Sequence, residues 1–202
     1  MEKLIQKLKE KNFQAYLAQD SKEAKKIALA LIPERATIGM GNSLTLRETG
    51  IFDELVSGKY KVINQFEKGI SREENLQRRK NGLLADVYFS SVNALTQEGA
   101  LVNIDGKGNR IAAINFGPDK VILVVGKNKV VDNEEGAWQR LKKAAPVLAK
   151  KLGRKTPCVE TEICSDCKSP QRICRFYSVI RSQMPDDRDR IHVILVNEDL
   201  GI

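Results

Sequence analysis

The chain has 202 residues, 42% of them hydrophobic and 30% charged, a composition that suits a globular protein able to bury a core. Its longest apolar runs, Ile27 to Ile32 and Val121 to Val125, fall far short of the roughly 20 residues that cross a bilayer, and the charged N-terminus lacks the apolar core of a secretory signal, so no membrane span and a cytoplasmic location are expected. The net charge of +8 raises a polyanionic partner, but the basic residues are dispersed and the 5% aromatic content does not interleave with them, so solvated helix faces are expected and nucleic acid is not.

In chain order, Leu4, Ile5, Leu8, Phe13, Tyr16 and Leu17 form an approximate helical stripe. Asp20, Ser21 and Glu23 announce a second helix that Pro33 stops, so residues 1–32 read as an N-terminal helical segment. A short buried strand, Ala36 to Met40, leads into Gly39-Met-Gly-Asn-Ser43 and then a helix from Leu44 to Val56. A strand at Tyr60 to Ile63 and a helix opened by Ser71 follow.

The stretch from Ala85 to Gly126 reads as the centre of a sheet, with β-branched and aliphatic runs at Val87 to Phe89, Ala100 to Ile104 and Val121 to Val125. Asp105 to Asn109 reads as a hairpin turn. A long helix capped by Asp132 with Glu135 runs to Gly153, a short helix is expected over Arg172 to Ser182, and Arg190 to Val196 is the last strand. Alternating strands and helices predict one α/β domain over 1–202, with a mainly parallel sheet flanked by helices, an antiparallel hairpin and a small cysteine-rich segment over residues 154–176.

Three groups could carry chemistry. Gly39, Gly41, Asn42 and Ser43 lie between a strand and a helix, where glycines admit a ligand and free backbone N–H groups favour phosphate or carboxylate; the same residues also serve as an ordinary N-cap turn. Gln97, Glu98, Gly99, Asn103, Asp105, Asn109 and Arg110 crowd the ends of the central strands, where open α/β sheets place ligands. Glu98 is the candidate catalytic carboxylate, as base, nucleophile or ligand-orienting group, and Arg110 the candidate clamp on an anion; turn chemistry accounts for the Gly, Asp and Asn without either.

The third group is Cys158-x5-Cys164-x2-Cys167-x6-Cys174, which holds every cysteine of the chain. Thiolates are soft ligands, and four in one core-poor segment point to a metal site, zinc or an iron–sulfur cluster, rather than to disulfides in a reducing compartment. His192, the only histidine, alternates within a strand-like run and reads as a satisfied sheet residue.

The segments Ala85-Asp-Val, Ala94-Leu-Thr-Gln-Glu-Gly-Ala-Leu-Val102, Gly108-Asn-Arg110 and Lys120 to Gly126 resemble the LUD (lactate utilization) domain family, once a domain of unknown function. Cys164-Ser-Asp-Cys-Lys-Ser-Pro170 and the stretch from His192 to Gly201 resemble the C-terminal signature of its cysteine-bearing branch. The resemblance implies a fold related to ribose-5-phosphate isomerase and the CoA transferases, and a link to lactate oxidation to pyruvate beside iron–sulfur oxidoreductase subunits. In the relatives a Glu-Thr-Gly element precedes the strand that here begins at Ala100, whereas this chain reads Gln97-Glu98-Gly99. The expected function is binding of a small anionic metabolite between Gly39–Ser43 and Gln97–Arg110. The alternatives are a non-catalytic accessory subunit and, by fold analogy, a phosphosugar isomerase or CoA-transferase-like enzyme.

Overall fold

A computed structural model describes residues 1–202. Its frame is a six-stranded, wholly parallel sheet formed by β1 (Gln14–Ala18), β2 (Thr37–Met40), β3 (Lys61–Val62), β4 (Val87–Ser90), β7 (Lys120–Gly126) and β10 (Ile191–Val196), in the order β1-β10-β7-β4-β2-β3. The central strands β7 and β10 are buried along almost their whole length, as expected of a parallel sheet covered on both faces. Successive side chains serve opposite cores: Val121, Leu123 and Val125 pack on one side with α1 (Glu2–Glu10), while Ile122 and Val124 pack on the other with α2 (Ser21–Ala30), α3 (Leu44–Glu48) and α4 (Ile51–Leu55).

A second, mixed sheet joins β5 (Ala94–Thr96), β6 (Leu101–Asp105), β8 (Val130–Val131) and β9 (Phe176–Ile180) in the order β8-β5-β6-β9, and α7 (Glu134–Lys151) covers its outer face through Ala137 and Leu141. The expected α/β arrangement with an antiparallel hairpin is therefore present, but the β-rich stretch from Ala85 to Gly126 is shared between two sheets rather than forming the centre of one.

Several local expectations are corrected. The N-terminal stripe does not continue as helix: α1 ends, Asn12 adopts a positive φ of 61°, and Gln14 to Ala18 leave as a strand that pairs with β10. The segment from Leu44 to Val56 is two short helices, because Gly50 takes φ 66° and breaks the ladder. The hairpin turn is Gln97–Gly99, joining β5 to β6; Asp105 to Gly108 instead leads into α6 (Asn109–Asn115). Asp105 makes that turn work, its Oδ1 accepting from Gly106 N–H at 2.8 Å and its Oδ2 from Arg110 N–H at 3.1 Å. The helix expected over Arg172 to Ser182 is β9, pairing antiparallel with β6, and Asn133 rather than Asp132 caps α7. The remaining helices, α5 (Arg72–Asn81) and α8 (Pro157–Thr161), lie on the surface. No helix is long and apolar enough to cross a membrane.

Candidate functional site

Because the six strands run parallel, their carboxyl ends share one edge, and the loops leaving β2, β4 and β7 meet there. Between these loops, α5, α6 and the C-terminal half of α7 lies a cleft of about 270 Å³. Its lining includes five cationic side chains, Arg79, Lys107, Arg110, Lys129 and Arg154, and a single acidic one, Asp105, whose carboxylate already caps α6.

Lys129 ties the three loops together. It follows β7, is only 4% exposed, and its Nζ donates to Thr45 Oγ1 at 2.7 Å after β2 and to Ser91 Oγ at 2.9 Å after β4. No carboxylate forms an ion pair with it, and burial, reinforced by the Arg140 and Arg110 guanidiniums, pushes its pKa down to about 7, with Glu48 opposing weakly. An ammonium has three donors; two are used, leaving one for the cleft.

Arg110 takes a different part. Its terminal nitrogens donate to Ser91 O (2.9 Å), Asn103 Oδ1 (2.9 Å), Asn93 Oδ1 (2.7 Å) and Ile104 O (2.8 Å), so the four N–H groups of an anion fork are already committed to the protein. It braces the floor of the cleft and contributes charge, not a bidentate clamp. Burial lowers its pKa from the usual guanidinium value. Arg140 from α7 ties the loop after β4 to the one after β7, donating to Asn93 O (2.9 Å) and Asn128 O (3.1 Å).

The sequence candidates separate on this geometry. Asn42, Ser43, Asp105, Asn109 and Arg110 line the cleft. Ser43 caps α3, accepting from Leu46 N–H at 3.3 Å. Gly39 and Gly41 serve packing: a Cβ on Gly39 would sit 2.9 Å from Gly82 O, and one on Gly41 would lie 2.9 Å from Ser90 Oγ and 3.0 Å from Arg110 Cγ. Asn103 is fully buried beneath Arg110, with its Nδ2 unpartnered. Gln97, Glu98 and Gly99 do not line the cleft; Gln97 and Glu98 are exposed at the hairpin tip, and Gly99 packs on Leu8 and Lys11.

Four contributors were missed. Ser91 and Asn93 could have been noticed as polar residues just beyond a buried strand. Lys129 carried no signal, being one of 34 basic residues, and Arg79, whose Nε is buried without a partner, sits in a basic run that reads as a solvated helix face. His192 fits its expectation. Its Nε2–H donates to Asp189 O at 2.9 Å, Nδ1 accepts from the Tyr16 hydroxyl at 3.1 Å, and burial lowers its pKa.

The four cysteines are free thiols and line one cavity of about 10 Å³ against Ala145 and Ala149 of α7. Cys174 and Ile173 also line the cleft, so the two spaces share a wall. Number and softness of the donors suit a thiolate metal centre. As placed, however, no three ligating side chains group closely enough to hold an ion, so the thiols would have to close inward to coordinate one.

The LUD domain family model matches residues 1–196, nearly the whole chain. The chain belongs to the LUD domain family. A crystal structure of a DUF162 family protein from Deinococcus radiodurans is similar over 96% of this chain and 94% of that one, with a TM-score of 0.52 and 15% identity, a likeness of fold. No curated protein matches. For a LUD domain protein with this architecture, the cleft at the strand ends is where the fold itself gathers unneutralised charge.

Proposed function

We propose that this LUD domain protein binds a small anionic metabolite in the cleft, in the setting of lactate and pyruvate redox metabolism that the family name carries. The observation that supports this most is the charge imbalance: five cationic side chains line the cleft against one acidic side chain that is already engaged, and although Lys107 and Arg154 are exposed, Lys129 is buried with no carboxylate partner, whereas buried charges in proteins are ordinarily paired. A carboxylate or phosphate ligand supplies the missing charge. Lys129, Arg79, Asn42 and Ser43 are the groups that would receive it.

Thermal unfolding in the presence of lactate, pyruvate, sugar phosphates and CoA esters tests the reading. At a ligand concentration of about 100 Kd the expected stabilisation is about 2.7 kcal/mol, or roughly 5–10 °C for a chain of this size. It should vanish with lactamide, which keeps the shape of lactate without its charge, and fall sharply in Arg79→Ala. Equal stabilisation by lactamide, or none by any anion, defeats the anion site. Turnover of a stabilising ligand marks an enzyme; stabilisation without turnover fits an accessory subunit.

The convergence of the cysteines supports a second element, a zinc or iron–sulfur centre held by Cys158, Cys164, Cys167 and Cys174 beside the cleft. When bound, zinc would supply structural cross-linking of the segment, and an iron–sulfur cluster an electron path. Anaerobic purification with metal analysis and a visible spectrum is expected to give a stoichiometric metal that is lost in Cys167→Ser. Metal-free wild type would remove this element while leaving the anion site standing.

A further inference from the structure

Lys129 is the least explained group in the molecule. A buried ammonium ordinarily faces a carboxylate, yet this one is held only by two hydroxyls, Thr45 Oγ1 and Ser91 Oγ, with the guanidiniums of Arg110 and Arg140 bracing the loop that carries Ser91 and Asn93. A carboxylate would lock the nitrogen as a cation. Hydroxyls can accept from the ammonium and equally donate to the lone pair of the neutral amine. Lys129 lines the cleft together with Ser91, the partner of its Nζ, and Lys107, the other lysine of the lining, is exposed.

We infer that Lys129 is a nucleophilic amine that forms a Schiff base with the carbonyl carbon of a 2-oxo carboxylate bound in the cleft. This rests on the anion-binding reading above and deepens it, since the ligand's carboxylate answers the excess positive charge while its carbonyl meets Nζ. In the step, the Nζ lone pair forms a bond to the carbonyl carbon and the C=O π pair moves to oxygen. A proton leaves nitrogen for that oxygen, with Ser91 Oγ and Thr45 Oγ1 placed to carry it. Protonation of the resulting hydroxyl and loss of water then give the C=N linkage, with no net oxidation or reduction. The pKa near 7 is consistent with this chemistry, leaving a substantial fraction of neutral amine at neutral pH, where an ordinary lysine has very little.

The test is reductive trapping on the wild-type protein. Pyruvate or glyoxylate is added with cyanoborohydride, which delivers hydride to the imine carbon, and the product is read by intact mass and peptide mapping. One adduct per chain is expected, on the peptide carrying Lys129, forming at least about tenfold faster than on any surface lysine and rising as pH passes through 7. Lys129→Arg, which has no nucleophilic amine, should lose the adduct. Stabilisation of wild type by pyruvate without a Lys129 adduct overturns the covalent role and leaves the anion site intact. Labelling spread evenly over surface lysines, or neither stabilisation nor labelling, overturns it as well; the anion reading falls only if lactate, sugar phosphates and CoA esters also fail to stabilise the protein.

Discussion

Lys129→Met is expected to make the protein more stable at pH 6 to 7 while abolishing anion binding. The lysine's folded pKa of about 7 lies well below its ordinary 10.5, because burial and two neighbouring guanidiniums disfavour the charge. Between those values the unfolded chain binds the proton and the folded one does not, so this group makes stability rise with pH across the window from about 7 to 10.5. Below pH 7 the cost of burying the cation is felt in full, on the order of 5 kcal/mol at 1.36 kcal/mol per pKa unit. Methionine has similar length and no charge; losing the two hydroxyl bonds, at about 1 kcal/mol each, returns part of the gain.

A net stabilisation of about 3 kcal/mol is therefore expected at pH 6.5, reversing by pH 10, where the charge cost has gone and the two hydroxyl bonds are still lost. Urea unfolding of both proteins at the two pH values measures it. A variant less stable than wild type at pH 6.5 would show that Lys129 is chiefly a structural tie. Stability given up at a position facing a cleft is the ordinary mark of a functional group.

Arg110→Ala should have the opposite sign and be larger. Its removal strands four acceptors, Ser91 O, Asn93 Oδ1, Asn103 Oδ1 and Ile104 O, around the space the side chain filled beside Gly41. With unsatisfied buried groups costing about 1–3 kcal/mol each and partial rescue by water entering from the cleft, a loss of about 3–5 kcal/mol is expected. The midpoint of urea unfolding should fall with little change in slope. Arg110→Lys should recover little, because an ammonium cannot span four acceptors that a planar fork reaches. If Arg110→Ala unfolds like wild type, the guanidinium is not the brace the geometry describes.

These two residues show why the site was only half legible. Asp105, Asn109 and Arg110 stood out as polar groups at strand ends, and they do line the cleft. Which way Arg110 spends its donors depends on Ser91, Asn93 and Asn103, residues 19, 17 and 7 positions away whose approach no local pattern encodes. Glu98 stood out for the same reason as Arg110, yet it lies at the exposed tip of a hairpin. Lys129 was invisible because a lysine's role is set by what covers it, here three loops contributed by β2, β4 and β7.

Local chemistry by itself determined much of the scaffold. Asp20 and Ser71 accept from Glu23 N–H and Glu74 N–H as their spacing implied, and the apolar runs at Val121 and Ile191 became the central strands, because capping and continuous burial act over a few residues. The tertiary structure decided the rest. Gln14 to Ala18 became a strand only through its pairing with β10, Phe176 to Ile180 only through β6, and the stretch from Ala85 to Gly126 divided between two sheets. Strand pairing and the burial of charge are non-local, their energies arising from groups far apart in the chain. That is why the fold class could be read from the residues in order, while the unneutralised lysine at its centre emerged only once the loops had met.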